Sequence, residues 1–506
     1  MIKSIKTIMR QDREPYRIPR RVQDVIPIQC VWPDGIFKVG SKFSKTYRFT
    51  DINYKVASRE DKETMFLAYS ELLNSLDSAA TTKLTICNRR QSQADFEQSV
   101  LMSMRGDGLD KYRKEYNTLT TESLAVFMPF KVQEMQDRGG IYFGENAISH
   151  NLIMCNKANL LNQASFRLGV PGSGKSFSVK EEIAFLILNT DDDILIADPE
   201  GEYAPLIEAM DGLGTVVRVA AGGKDRLNAM HMVDGYGENN PIVVKSQFIM
   251  SLVERIDPNG VGAKQKSIID RCTAAVYEDA EQTGTVPTLT TRREKLMKQP
   301  EDMAREIALA LELFTTGSLD IFGHESTVDL DKRMVVFDIH GLGEQLKPIG
   351  HLVITDTMLN RVTLNWKKGK RTHVFIDEFH VMFENEFSAA FFNSAWRQFR
   401  KRNAYPTAIT QNVEYLLDSV QASTMLSNSE FIVMLSQAAS DREKLARLLN
   451  ISEEQMGHIT NAPAGCGLIK YGSALVPFVN RFPHNTELYR LMTTRPGEGR
   501  FSGGQA

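Results

Sequence analysis

Apolar positions in the last three quarters of the chain fall into two alternating kinds of run. Short unbroken ones end the segments 165–168, 193–197, 334–338, 374–376 and 407–410, and they read as strands buried on both faces. Between them lie longer stretches in which apolar residues recur at helical spacing: 175–188, 243–256, 266–280, 301–314, 346–366 and 387–399. Strands alternating with helices predict an α/β fold, a mostly parallel sheet with helices on both faces.

The front of the chain is patterned differently. Residues 1–24 are basic and broken by Pro15 and Pro19, and they read as a solvated arm. From 26 to 90 short alternating segments surround Trp32-Pro33-Asp34-Gly35 and reach Thr46-Tyr47-Arg48-Phe49, which predicts a hairpin. A helix then opens near Ser58, with Asp61 as a capping-box partner, and a strand follows at 83–87. Residues 91–118 are polar and read as a helix leading to a linker. The segments 126–128, 140–144 and 151–154 are strand-like and lead into the second domain. Near the end, 441–450 reads as a helix, and 467–471 with 474–478 as a hairpin at a sheet edge, where Pro477 is tolerated. The expected domains are therefore a basic arm at 1–24, a small α+β domain at 25–118, an α/β domain at 119–492 and a disordered tail at 493–506.

Composition narrows this little. A chain of 506 residues with 42% apolar and 24% charged residues is ordinary for globular protein, and its length calls for at least two domains. The formal net charge of -3 gives no overall pull toward nucleic acid, so any DNA contact must be local. Cys30, Cys87, Cys155, Cys272 and Cys466 are scattered, with no paired spacing and no histidine cluster, which predicts reduced thiols rather than a zinc site. No run approaches the ~18 apolar residues of a membrane span, and membrane attachment is expected to go through partners.

The chemistry starts at Gly169-Val170-Pro171-Gly172-Ser173-Gly174-Lys175-Ser176, which fits G-x-x-x-x-G-K-[ST] at every fixed position. Gly169, Gly172, Ser173 and Gly174 let backbone N–H groups turn inward around a polyphosphate. Lys175 neutralises its outer oxygens, and Ser176 offers a hydroxyl to Mg²⁺. A strand before the loop and a helix after it point the helix dipole at the phosphates. The second half of the site is Asp377-Glu378, two acids at the carboxyl end of an otherwise apolar strand, where open α/β sheets bind ligands. Asp377 is the expected Mg²⁺ ligand and Glu378 the base that deprotonates the attacking water. Gln411 ends another strand, where its amide can reach the γ-phosphate or the water. The basic run Arg397 to Asn403 has three readings: a solvated helix end, a DNA-facing patch, or the source of an arginine that completes a neighbouring subunit's site.

Together these motifs resemble the large ATPases of conjugative transfer and type IV secretion, the VirB4 or TraE type within the HerA/FtsK group of P-loop ring motors. The likeness is carried by 169–176, by Asp198-Pro199-Glu200-Gly201-Glu202-Tyr203, by Asp377-Glu378, by Arg400-Lys401-Arg402-Asn403, by Thr410-Gln411-Asn412, by 427–431 and by 464–469. It is nearest to versions on integrative conjugative elements of Gram-positive bacteria. The resemblance implies a RecA-like P-loop domain over 119–492, ATP and Mg²⁺ as cofactors, Lys175, Glu378 and Gln411 in hydrolysis, and Arg400 as the finger across a subunit boundary, with Arg402 second. It also implies a homo-oligomer, a hexameric ring, docked on membrane proteins of the conjugation channel at the cytoplasmic face of the bacterial membrane. Relatives carry a longer amino-terminal region, so the resemblance implies a shortened front half. Three functions are expected from such a site: a motor energising conjugative secretion, a DNA-pumping translocase, or a nucleotide-gated scaffold.

Overall fold

A computed structural model describes residues 28–33, 36–39, 42–45, 58–74, 132–210, 212–237, 240–256, 260–383, 386–495 and 497–498. The chain divides into two compact units, one comprising 1–54 and 59–131, the other 55–58 and 132–506. The segments expected at 1–24, 46–49, 83–87, 91–118 and 126–128, and the boundary at 118/119, lie outside the described residues.

In the first unit, β1 (Cys30–Val31), β2 (Ile36–Val39) and β3 (Lys42–Lys45) form an antiparallel sheet in that order. The helix Arg59–Asn74 follows, with Glu60 and Asp61 in its first turn, where acids suit the positive end of the dipole.

The second unit is built on one sheet with eleven strands among the described residues. In chain order they are β4 (Ile141–Asn146), β5 (Leu152–Cys155), β6 (Ser165–Leu168), β7 (Asp193–Asp198), β8 (Gly214–Arg218), β9 (Met334–Asp338), β10 (Thr372–Ile376), β11 (Ala404–Thr410), β12 (Phe431–Met434), β13 (Cys466–Tyr471) and β14 (Ala474–Val479). Their spatial order is β5-β4-β14-β13-β12-β6-β11-β10-β7-β9-β8. The seven from β12 to β8 run parallel, and β13, β14, β4 and β5 continue the sheet antiparallel. This is the doubly covered α/β sheet that the alternating pattern predicts.

Side chains of the parallel block point alternately into two cores. Ile194, Ile196, Met334, Val336, Phe375 and Ile409 face the helix Lys175–Asn189. Leu195, Ala197, Val335, Phe337, Val374, Ile376 and Ala408 face the helices Pro241–Ile256, Lys347–Lys367 and Glu386–Lys401. Burial on both faces explains why these strands read as unbroken apolar runs.

Two expectations are corrected. The stretch 301–314 is not one helix: Asp302–Ala310 ends and Glu312–Thr315 starts anew, preceded by the helix Leu289–Met297. The hairpin β13–β14 does not lie at the sheet edge, because β4 and β5 continue beyond it. Pro477 is tolerated because β14 pairs with β4 only at Phe478 and Val479, so its missing N–H breaks no ladder bond.

Candidate nucleotide site

Strand register brings the motifs together. Leu168 of β6 pairs with Thr410 of β11, so Gly169 and Gln411 leave the sheet as neighbours. Ile376 of β10 pairs with Ala197 of β7, so Asp377 and Asp198 also leave it side by side. With β11 between β6 and β10, Gln411 lies between the glycine loop and the acidic pair.

The loop is braced from outside. Val170 N–H donates to Ser436 at 2.9 Å, and the Ser173 hydroxyl closes back on the Val170 carbonyl at 2.7 Å. The Ser173 carbonyl accepts the Gly465 N–H at 3.0 Å, and the Gly465 carbonyl accepts the Asn480 N–H at 2.8 Å. Gly174 opens the helix Lys175–Asn189 at φ 95, a conformation that glycine adopts freely. Gly172 turns at φ 77 with open space around it, and a Cβ on Gly169 would lie 2.6 Å from the Ser173 hydroxyl.

Lys175 and the acidic pair share one electrostatic neighbourhood. Burial pulls the Lys175 pKa down, while Asp377, Glu378 and Glu202, in that order, push it back. Burial first and the Glu378 charge second lift the Asp377 pKa to about 7, against the opposing pull of the Glu378 N–H and Lys175. Asp377 Oδ1 accepts the Glu378 N–H at 2.9 Å and Oδ2 accepts the Tyr203 hydroxyl at 3.2 Å. Glu378 Oε1 accepts Gln411 Nε2 at 2.8 Å, and burial raises the Glu378 pKa as well.

Five residues singled out from sequence thus meet or flank one another: Ser173, Lys175, Asp377, Glu378 and Gln411, with Ser176 in the first helical turn. Arg400 does not join them. It is exposed at the end of the helix Glu386–Lys401, beside the start of β11, whereas Gln411 follows that strand's far end. Seven strand residues separate the two levels by about 20 Å. Arg402 is buried at 3% exposure, donating to Thr363 Oγ1 at 2.7 Å and to the Gly235 carbonyl at 3.0 Å, which removes it as a finger.

Sequence reasoning gave no role to Tyr203, Glu202, Lys180, His380 or Asn412. Lys180 is buried one helical turn beyond Ser176, its ammonium 5.5 Å over the Tyr203 ring and close to Glu202 and Asp198. The helical spacing of Lys180 relative to Ser176 was the one available signal.

The site suits a magnesium nucleotide. Asp377 and Ser176 supply hard oxygen donors, and Asp377 is buried beside the Glu378 charge, both of which raise its pKa. Among the described residues no three His, Cys, Asp or Glu side chains could hold a metal by themselves. No helix among them is long and apolar enough to cross a membrane.

Residues 291–462 match the family model described as the TraG P-loop domain, a span that holds Asp377, Glu378, Arg400 and Gln411. The fold is similar to that of VirB4 from Thermoanaerobacter pseudethanolicus, with a TM-score of 0.59 and 21% identity, over 69% of this chain and 99% of that one. The bacterial conjugative coupling protein TrwB, solved with its first 70 residues removed and with sulphate, gives 0.46 and 14% over 63% and 86% of the two chains. TrwB in complex with ADP and Mg²⁺ gives 0.44 and 14% over 64% and 87%. No curated protein matches the sequence.

Proposed function

From a TraG P-loop domain at 291–462, set in a fold shared with VirB4, we propose that this chain is an ATP-hydrolysing motor that energises conjugative transfer through a type IV secretion channel. One observation carries the enzymatic reading: the ammonium of Lys175 has Asp377 and Glu378 as its foremost charged neighbours, so a phosphate grip and a water-activating acid share one site. Backbone N–H groups of 169–176 cradle the β- and γ-phosphates, and Lys175 draws charge from their oxygens. Ser176 and Asp377 would hold Mg²⁺, which when bound supplies positive charge to the phosphate oxygens. Glu378 takes the proton of the attacking water, while Gln411 contacts the γ-phosphate or that water. The raised Glu378 pKa makes it a stronger base than an ordinary carboxylate.

Arg400, too remote from its own site, serves the next subunit of a ring, for which a hexamer is the expected closure. Docking on channel proteins at the inner face of the membrane belongs to the same reading. A second reading, with DNA as the moved substrate, draws on Arg397, Arg400 and Lys401, exposed together at one helix end. ATP turnover with and without single-stranded DNA separates the two: salt-sensitive stimulation favours the DNA pump, and indifference favours action on channel proteins. Glu378→Gln tests both against a scaffold role. A motor loses transfer when hydrolysis stops although nucleotide stays bound, whereas a scaffold retains it.

A further inference from the structure

Glu378, in the turn after β10, combines a strained backbone with a neighbour at each carboxylate oxygen. Its backbone sits at φ 48, a left-handed conformation that disfavours glutamate by about 1 kcal/mol. Each carboxylate oxygen has its own neighbour: Oε1 accepts the Gln411 amide at 2.8 Å, and Oε2 lies 3.2 Å from His380 Nδ1.

The far side of the imidazole fixes which nitrogen carries the proton. Asn412 Nδ2 donates to His380 Nε2 at 2.9 Å, so Nε2 is an acceptor and the hydrogen sits on Nδ1. A bare Nδ1 would set its lone pair against the Glu378 carboxylate, which argues for the same tautomer. Two oxygens stand within reach of Nδ1 and its one hydrogen: Thr410 Oγ1 at 3.1 Å, its hydrogen-bond partner here, and Glu378 Oε2 at 3.2 Å; Thr410 Oγ1 accepts the Asn412 N–H at 3.1 Å as well and so holds Asn412 in place. His380 is 9% exposed, with the Tyr415 ring at 6.2 Å and the fully buried His351 among its neighbours. Burial lowers its pKa to about 4, so it stays a neutral donor.

We propose that His380 is a positioning residue for hydrolysis: its Nδ1–H, shared between Thr410 Oγ1 and Glu378 Oε2, and the Gln411 amide on Oε1 flank opposite oxygens of Glu378 and hold the carboxylate for the attacking water. Both anchors answer to one short segment, 410–412 at the end of β11, since Asn412 sets the imidazole tautomer and Gln411 is the other clasp. Each oxygen keeps a lone pair open. In the step itself the water oxygen bonds to the γ-phosphorus and the bond to the bridging oxygen breaks, its electron pair leaving with ADP. The water's proton goes to Glu378, while His380 remains neutral throughout. This rests on the ATPase reading of the site.

The test compares three replacements in the full-length chain, reading steady-state kcat and KM for MgATP and the Kd of a fluorescent ATP analogue. Asparagine places its amide nitrogen where His380 has Nδ1, and glutamine places its own where the ring has Nε2. His380→Ala is expected to lower kcat at least ~10-fold with Kd unchanged, because a misplaced base slows the chemical step without loosening the nucleotide. His380→Asn restores most of that loss and His380→Gln does not. An alanine variant as fast as wild type overturns the inference. So does rescue by glutamine but not by asparagine, which would assign the residue to holding Asn412. A wild-type chain that hydrolyses no ATP brings down the proposed function itself, which distinguishes that failure from this one.

Discussion

Tyr203 donates its phenolic hydrogen to Asp377 Oδ2 at 3.2 Å, joining the loop after β7 to the acid after β10. Asp198 shapes that loop by accepting the N–H groups of Glu202 at 3.1 Å and Tyr203 at 2.9 Å, which fold the chain back over the sheet end. Tyr203 is fully buried, and burial keeps its hydroxyl protonated as a donor. The run Asp198 to Tyr203 is therefore a support for Asp377, the proposed magnesium ligand. Tyr203→Phe removes only the hydroxyl and leaves the ring's packing on Lys180. It is expected to raise the Mg²⁺ concentration for half-maximal ATPase activity about 10-fold, the lower end for partners of a metal ligand. Titrating Mg²⁺ at fixed ATP checks this, and an unchanged midpoint would count against it.

Gly465 seals the phosphate loop from outside. It adopts φ 81, and a Cβ there would lie 2.6 Å from the Asn480 carbonyl oxygen. Its N–H also carries the bond to Ser173. Gly465→Ala is expected to push the loop out of shape and weaken ATP binding by about 1–3 kcal/mol, the strain of a non-glycine residue in such a conformation. Equilibrium binding of a fluorescent ATP analogue reads this directly. Unaltered affinity would mean that the loop keeps its shape without this brace.

Much of this site was legible because its parts announce themselves locally. Gly169 to Ser176 is a fixed spacing, and Asp377-Glu378 stands out because three apolar residues, Val374 to Ile376, lead up to it. Register was not legible, since the pairing of Leu168 with Thr410 joins segments with no local sign of each other. The same blindness left Arg402 standing as a second choice behind Arg400. Two positions apart on a chain turning from helix to strand, one faces solvent and the other is sealed beneath Gly235 and Thr363. His380 was passed over because histidine beside an acidic pair has no spacing rule, and its partner Asn412 comes from another strand's end. The break between Ala310 and Glu312 escaped because apolar spacing runs on across it.

Glu182 makes acid stability a test of the fold around the loop's helix. It is buried between Lys157 and Arg167, pairing with both. Burial alone would raise its pKa, but the two cations outweigh it and hold the carboxyl down to about 2. The folded value lies below the unfolded one, so the stabilisation is complete above about pH 4.5 and drains away as pH falls toward 2. A displacement of that size corresponds to about 3 kcal/mol. Urea midpoints measured at pH 7, 4 and 3 should fall steeply in the wild type. In Glu182→Gln the unfolding free energy should start lower by about 3 kcal/mol, from two cations left without their acid, and the midpoints should fall less with pH. Parallel curves for the two chains would refute the assignment.

Arg400 and Arg402 separate function from folding within three residues. Arg402→Met leaves the Thr363 hydroxyl and the Gly235 carbonyl without a charged donor in a buried place, and it should cost about 2–3 kcal/mol in urea unfolding. Arg400→Ala removes an exposed side chain and should leave that unfolding free energy within about 0.5 kcal/mol of wild type. Its effect should instead appear in catalysis: wild-type ATPase activity per chain rises with protein concentration as subunits meet, and Arg400→Ala stays flat and ~10³-fold lower. Mixing makes the point sharper. Arg400→Ala keeps its own Glu378, and Glu378→Gln keeps an Arg400 to lend, so each is inactive alone. Combined in equal amounts, a random ring has about one quarter of its sites with an intact base facing an intact arginine, and activity should return to about that fraction. No recovery in a mixture that demonstrably assembles would show that Arg400 does not act across the subunit boundary.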